Sequence, residues 1–142
     1  MNSILAKYPL SERATADLRT PSGKKFEDID LDAVVEGRVE MKDLRVSPEA
    51  LELQAEIAQA AGRPQLAENL RRAAELANIP EEKILEIYAA LRPGRSSHDR
   101  LVEVATELEQ KWRAPRCAQF VREALKAYFK DPRHPRSQHP KL

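Results

Sequence analysis

The side chains that could act as nucleophiles or metal ligands are few, since the 142-residue sequence contains one cysteine and three histidines. Cys117 follows Arg113 and Arg116 and lies near the start of a predicted helix, and both features favour the thiolate form. No histidine that could act as its base lies nearby in sequence, and a cysteine on a helix usually packs as a small hydrophobic residue. We therefore expect a structural role for Cys117 and keep a small enzyme that uses its thiolate as an alternative.

The remaining candidate ligands are not spaced as metal or phosphate sites require. His134 and His139 lie in a polar, proline-rich tail, and His98 lies in the first turn of a predicted helix, where we expect it to be solvated. The four glycines stand at separate turns, so no glycine-rich loop could hold a phosphate. The sequence therefore predicts that this chain has no catalytic residue, no cofactor-binding residue and no metal ligand.

Two arginines flank a predicted turn between two helices. The stretch ILEIYAALRPGRS, residues 84–96, begins as a helix whose apolar side chains recur at steps of three and four: Ile84, Ile87, Tyr88 and Leu91. Pro93 ends this helix, and the glycine after it permits a sharp turn. We call residues 92–95 the elbow. Arg92 and Arg95 extend from this stiff corner, which suits docking to carboxylates, although a solvated turn is the plainer interpretation.

The N-terminal stretch, residues 1–46, has no sustained helical period. We predict an extended arm with short helical turns, one of them capped by Asp30 and ended by Gly37. Tyr8 and Leu10 are apolar side chains that could lie on a partner protein. The predicted partner-binding residues are therefore Tyr8 and Leu10 in the arm, together with the two arginines of the elbow.

The elements that must position these residues are helices. No segment alternates between apolar and polar residues for long enough to predict a strand, so the fold class is all-α. We divide the chain into the arm, a single helical domain of about five main helices over residues 47–130, and a disordered tail over residues 131–142. Four prolines stand where a helix begins, the position at which a missing amide proton costs nothing: Pro48, Pro64, Pro80 and Pro115.

Charge and composition argue against several classes of partner. Charged residues make up 33% of the chain but balance to a net charge of +1, whereas a nucleic-acid-binding protein usually has a clear basic excess. The apolar runs are too short to span a bilayer, and the first ten residues lack a signal-peptide pattern. A single cysteine excludes an internal disulfide and suits a reducing compartment. We therefore expect a cytoplasmic protein with no nucleic-acid or membrane partner.

Several blocks of sequence, in order, carry a resemblance that covers the chain from about Tyr8 to Tyr128. The most specific are ILEIYAALRPGRS at 84–96 and CAQFVREA at 117–124. The others are YPL at 8–10, LRVSPEAL at 44–51 and AGRPQLAENLRRAAEL at 61–76. Together they resemble the small (gamma) subunit of adenosylcobalamin-dependent diol and glycerol dehydratases.

The resemblance implies a subunit of a larger enzyme. The family enzyme is expected to be a dimer of three-subunit units that converts 1,2-propanediol or glycerol to an aldehyde by a radical loss of water. Its large subunit is expected to hold the substrate, with adenosylcobalamin between the large and medium subunits. The small subunit is then expected to bind the large subunit and complete the assembly, without binding a cofactor itself. The preferred diol depends on the large subunit's pocket, so this sequence leaves it open.

Two further points stay open at the level of sequence. A free-standing helical adaptor that docks other proteins would show much the same composition and the same lack of catalytic residues. The chain also begins close to YPL, without the longer N-terminal extension of some family members. Packaging into a bacterial microcompartment is therefore an open alternative that no such extension supports.

Overall fold

All the regular secondary structure is helical in the computed structural model, which describes residues 3–130. The α-helices are α1 (Leu10–Arg13), α2 (Leu31–Val35), α3 (Pro48–Ala60), α4 (Pro64–Leu76), α5 (Glu81–Leu91), α6 (His98–Gln110) and α7 (Pro115–Lys130). Short 3₁₀ turns also occur in the arm, at Leu5–Lys7, Thr15–Asp17, Phe26–Asp28 and Met41–Leu44. The all-α prediction is confirmed, and two short helices in the arm add to the five main ones. The predicted disordered tail lies outside the described residues.

The helices begin where the sequence predicts them to begin. Ser47 precedes Pro48, and its hydroxyl accepts a hydrogen bond from the Ala50 amide at 3.2 Å, which makes it the N-cap of α3. Asp30 caps α2 in the same way, accepting from the Ala33 amide at 2.7 Å. These contacts satisfy amide groups that the first turn of a helix leaves without a partner.

The contacts divide the chain into two compact units, with the boundary between Ala77 and Asn78. The arm lies in the same unit as α3 and α4, and the predicted division at residues 46 and 47 stays a prediction. The turn Leu5–Lys7 lies against α3, which fixes the beginning of the arm to that helix. We call the two units the N-terminal unit and the C-terminal unit and describe each by itself.

The N-terminal unit has a small core made largely of alanine. Helices α3 and α4 are joined by a short connection and pack along each other, with Ala55, Ala58 and Ala67 buried between them. Leu70 is partly buried against this cluster. Alanine side chains allow two helices to approach closely but remove little apolar surface from water. The contact between α3 and α4 is therefore thin.

A buried carboxylate, Asp43, holds the second half of the arm together. Its side chain accepts hydrogen bonds from the Glu40 amide at 2.9 Å and from the hydroxyls of Thr20, at 3.1 Å, and Ser22. The Lys24 ammonium completes the set with an ion pair at 2.9 Å. The Glu40 amide first, then Ser22 and Lys24, hold the pKa of Asp43 well below its usual range, since each stabilises the charged form. We call this arrangement the Asp43 cluster.

The C-terminal unit has a larger apolar core between α6 and α7. From α6 it buries Leu101, Val104, Ala105 and Leu108, each at most 1% exposed. From the start of α7 it buries Cys117, Ala118 and Val121. Near the other end of α7, the Phe129 ring meets the His98 ring edge-on, with 5.3 Å between the ring centroids.

Ion pairs join α5 to α6 in this unit. The Lys83 ammonium lies 2.6 Å from the Glu107 carboxylate and 3.1 Å from that of Glu86, and Glu86 also pairs with Arg100. Glu107 raises the pKa of Lys83, and Lys83 lowers the pKa of Glu107, because each stabilises the other's charged form. Helix α5 is thus held to α6 by charged groups as well as by its buried Ile87 and Ala90.

Two aromatic residues of the main helices are exposed, and one of them, Tyr88, is predicted to lie on the apolar face of its helix. Tyr88 is 62% exposed, because the buried face of α5 consists of its neighbours Ile87 and Ala90. Phe120 is 48% exposed, because α7 buries Cys117 and Val121 instead. Each aromatic side chain follows or precedes a buried residue by one position, which turns it about 100° away around the helix axis.

Candidate docking surface

The elbow is an exposed, ordered turn in the C-terminal unit. Helix α5 ends at Leu91, Arg92 has an extended backbone, and the Arg95 amide donates to the Arg92 carbonyl at 3.1 Å. Gly94 has a φ of +77°, a left-handed conformation that favours glycine. Ser97 then caps α6 by accepting from the Arg100 amide. The predicted order of helix, turn and helix is therefore confirmed.

The arginines of the elbow point into solvent rather than across to another helix. Arg92 and Arg95 are both exposed, and the Arg92 guanidinium lies over the Tyr88 ring, 5.4 Å from its centroid. Within residues 3–130 neither guanidinium forms an ion pair with a carboxylate. The pairing with a partner's carboxylate that we predicted for them stays a prediction.

A tyrosine of α7, which the sequence did not single out, ties the elbow to the rest of the unit. The Tyr128 hydroxyl donates to the carbonyl of Leu91 at 2.9 Å, across 37 residues of sequence. Leu91 is the last residue of α5, and carbonyl groups in the last turn of a helix lack an intrahelical partner. Tyr128 therefore fixes the point at which the elbow begins.

The arm residues predicted to bind a partner differ in exposure. Tyr8 is 65% exposed, directly after the turn that lies against α3. Leu10 opens α1 and is half-buried. Tyr8 thus exposes a large aromatic surface to a partner, whereas a smaller fraction of Leu10 is exposed. Neither lies in the same unit as the elbow, so the four predicted residues fall into two separate groups.

The most apolar exposed surface lies elsewhere in the arm, where the sequence analysis named no partner-binding residue. Between residues 26 and 46, seven large apolar side chains are 45–79% exposed: Phe26, Leu31, Val34, Val35, Met41, Leu44 and Val46. We call residues 26–46 the apolar arm segment. A concentration of large exposed apolar side chains in one segment suits a protein interface. The sequence carries one signal of this surface, because large apolar residues are abundant in a segment that forms only short helices.

The charges of this segment are strongly acidic. Over residues 26–46, six exposed carboxylates stand beside three exposed cationic side chains, Arg38, Lys42 and Arg45. Arg38 and Lys42 are paired with the neighbouring glutamates Glu36 and Glu40. The segment is therefore acidic in a chain whose overall net charge is +1.

Candidate catalytic groups are not brought together in the part of the chain that the structure describes. Cys117 is buried at 7% exposure on the inner face of α7. Within residues 3–130, no group of three or more His, Cys, Asp or Glu side chains is placed to hold a metal ion. None of the described helices is long and apolar enough to cross a membrane. The surfaces that stand out are those suited to binding another protein.

Comparison with known proteins shows which family this sequence resembles. A family model described as "Dehydratase small subunit" matches residues 4–134. The propanediol dehydratase small subunit of Citrobacter freundii is 47% identical over 121 residues, which cover 85% of this chain and 70% of the relative. The corresponding protein of Salmonella typhimurium is 44% identical over 124 residues, which cover 87% of this chain and 72% of the relative. Because the family model matches almost the whole chain and both relatives align over most of their own length, the chain belongs to the dehydratase small subunit family.

Proposed function

We propose that this chain is the non-catalytic small subunit of an adenosylcobalamin-dependent dehydratase that acts on 1,2-propanediol or glycerol. Membership in a family of small subunits implies that other subunits are its partners. The finer proposal is that it binds the large subunit directly, within a dimer of units that each contain a large, a medium and a small subunit. The observation that carries this proposal is the family match, together with exposed apolar surface concentrated in one segment of the arm.

The proposed role is structural rather than chemical. Loss of water from a diol by a radical route requires adenosylcobalamin in the assembled enzyme, and we propose that this chain does not bind that cofactor. Binding, positioning of partners and stabilisation of the assembly are what the chain's own residues can supply. The lone cysteine is compatible with our further proposal of a cytoplasmic enzyme.

Co-expression with the large and medium subunits tests the proposal. We expect a tag on this chain to recover both partners in a complex of defined size. We also expect the isolated chain to elute without cobalamin absorbance after incubation with adenosylcobalamin. Recovery of the chain alone would support the free-standing adaptor instead, and cobalamin bound to the isolated chain would contradict the non-catalytic role.

Substitution of the cysteine separates this proposal from the small enzyme that uses a thiolate. Because Cys117 is packed on the inner face of α7, we expect Cys117→Ala in the assembled enzyme to leave diol turnover nearly unchanged. Thermal unfolding of the isolated variant serves as the control for packing. A large loss of turnover with normal assembly and stability would show that the thiol has a chemical role.

A further inference from the structure

We propose that the apolar arm segment, residues 26–46, is the principal surface with which this chain docks onto the large subunit. The large-subunit surface that it fits has an apolar centre bordered by lysine or arginine side chains. This inference rests on the proposed function, and it adds the location of the interface and the chemistry of the partner's surface.

The first argument is the amount of apolar surface left in water. Leu31, Val35 and Met41 are 76%, 78% and 79% exposed, which is more than any of the exposed apolar residues of the main helices. Each is the first or last residue of its short helical element, so none is needed inside a core. Removing such side chains from water favours association by an amount that grows with the area buried. Their exposure is therefore most simply explained by burial against another protein.

The second argument is that polar contacts help to hold the segment in shape. The Asp43 cluster joins Met41–Leu44 to the turn at residues 20–24 through hydrogen bonds and one ion pair. The Asp30 cap and the fully buried Ala33 fix α2 in the same segment. An ordered surface loses less conformational entropy on binding than a flexible one. The apolar side chains are thus presented by a preorganised scaffold.

The third argument identifies the chemistry of the partner. The exposed carboxylates of residues 26–46 outnumber the exposed cationic side chains by six to three, and two of the three cations, Arg38 and Lys42, are already paired within the segment. A partner with basic groups around an apolar centre complements this pattern, whereas a second copy of the same acidic surface would repel it. Complementary charge at an interface guides encounter and selects the partner. The large subunit, and not a second copy of this chain, is therefore the occupant that we propose.

The test uses the full-length chain and the purified complex of large and medium subunits, with affinity measured by interferometry. Leu31, Val35 and Met41 are replaced together by glutamine, which removes apolar surface without adding charge. We expect this variant to bind about a hundredfold more weakly, because central apolar contacts dominate interface energies. The matched control replaces Leu66 and Val102, which are 42% and 45% exposed on α4 and α6, by glutamine, and we expect a change below about threefold.

A second pair of variants tests the charge argument. Glu27→Gln with Asp32→Asn removes two exposed carboxylates of the segment, and Glu52→Gln with Glu56→Gln removes two from α3. We expect parent association to slow as salt is added, and only the first variant to show slower association and a weaker salt dependence. Equal behaviour of the two variants would remove the argument for a basic partner surface.

The outcomes distinguish this inference from the proposed function. If the parent chain fails to bind the large and medium subunits, the proposed function itself is wrong. If the parent and the triple glutamine variant bind equally well, the function stands and the location of the interface is wrong. If the parent self-associates in gel filtration and the triple variant is monomeric but binds the other subunits normally, the segment serves a second copy and the inference is overturned. Circular dichroism checks that the triple variant is folded. If it unfolds, the single variants Val35→Gln and Met41→Gln replace it, and each is expected to weaken binding severalfold.

Discussion

Removal of the Tyr128 hydroxyl tests how the C-terminal unit positions the elbow. In Tyr128→Phe the ring stays in place, but the carbonyl of Leu91 loses the hydrogen bond that it accepts at 2.9 Å. A net hydrogen bond contributes about 0.5–1.5 kcal/mol, and Leu91 is half-buried, so water replaces the lost donor only in part. We therefore expect the free energy of unfolding to fall by about 1 kcal/mol, which corresponds to a decrease in Tm of about 3–6 °C.

The chain offers a matched control and a local probe for this measurement. Tyr88→Phe removes the same atom from a tyrosine that is 62% exposed and whose hydroxyl bonds to no other described residue. We expect that variant to unfold within about 1 °C of the parent. Trp112 is the only tryptophan of the sequence and belongs to the C-terminal unit, so its fluorescence reports on unfolding there. Equal Tm values for the two variants would refute the idea that Tyr128 fixes the end of α5.

Three further predictions follow from burial, charge and exposure. Leu108→Ala, at a side chain 1% exposed, should lower the free energy of unfolding by about 2–5 kcal/mol in chemical denaturation, and a loss below about 1 kcal/mol would contradict the assigned core. The pKa of Asp43 is lower in the folded than in the unfolded chain, so the stabilisation it gives is present above about pH 4 and is lost as the pH falls further. Between pH 5 and 3, the free energy of unfolding should therefore fall less in Asp43→Asn than in the parent. Identical pH profiles of the two proteins would exclude this role. Arg92→Ala and Arg95→Ala, measured separately, should weaken binding to the large subunit by about 2–5 kcal/mol where the guanidinium is desolvated and paired in the complex. A loss of binding free energy of about 0.5 kcal/mol or less for both variants would show that the elbow is a solvated turn.

Local sequence signals were sufficient to predict the main helices. Pro48 begins α3 and Asp30 caps α2 as expected, because these signals depend on residues within one turn of each other. The turn at the elbow follows from Pro93 and its glycine for the same reason. Fold class and helix starts are therefore the part of this structure that short-range physics determines.

Contacts between distant residues were not predictable in this way. The Asp43 cluster joins side chains 19 to 23 positions apart, and the Tyr128 hydrogen bond spans 37 positions. The residue types do not determine such pairings, since aspartate and tyrosine side chains also occur on solvated surfaces. The predicted burial of Tyr88 failed because spacing of three and four identifies a helix face but not its width.

The candidate surface was only partly predictable. Tyr8 and the elbow arginines are exposed, as a partner-binding role requires, but no contact in the structure tests that role. None of the apolar residues between positions 26 and 46 was predicted to bind a partner. Exposure is a property of the folded chain, so large apolar residues in short helices could be recognised as an interface only once their surroundings were known.

The central claim, that this chain is a required docking subunit of a dehydratase, is tested most directly by activity as a function of subunit composition. Purified large and medium subunits are mixed with increasing amounts of this chain, adenosylcobalamin and 1,2-propanediol or glycerol, and aldehyde formation is measured. We predict that activity rises with added chain and saturates near one chain per large subunit, and that the triple glutamine variant requires a much higher concentration. Full activity without this chain, or no activity at any ratio of the three subunits, would contradict the claim.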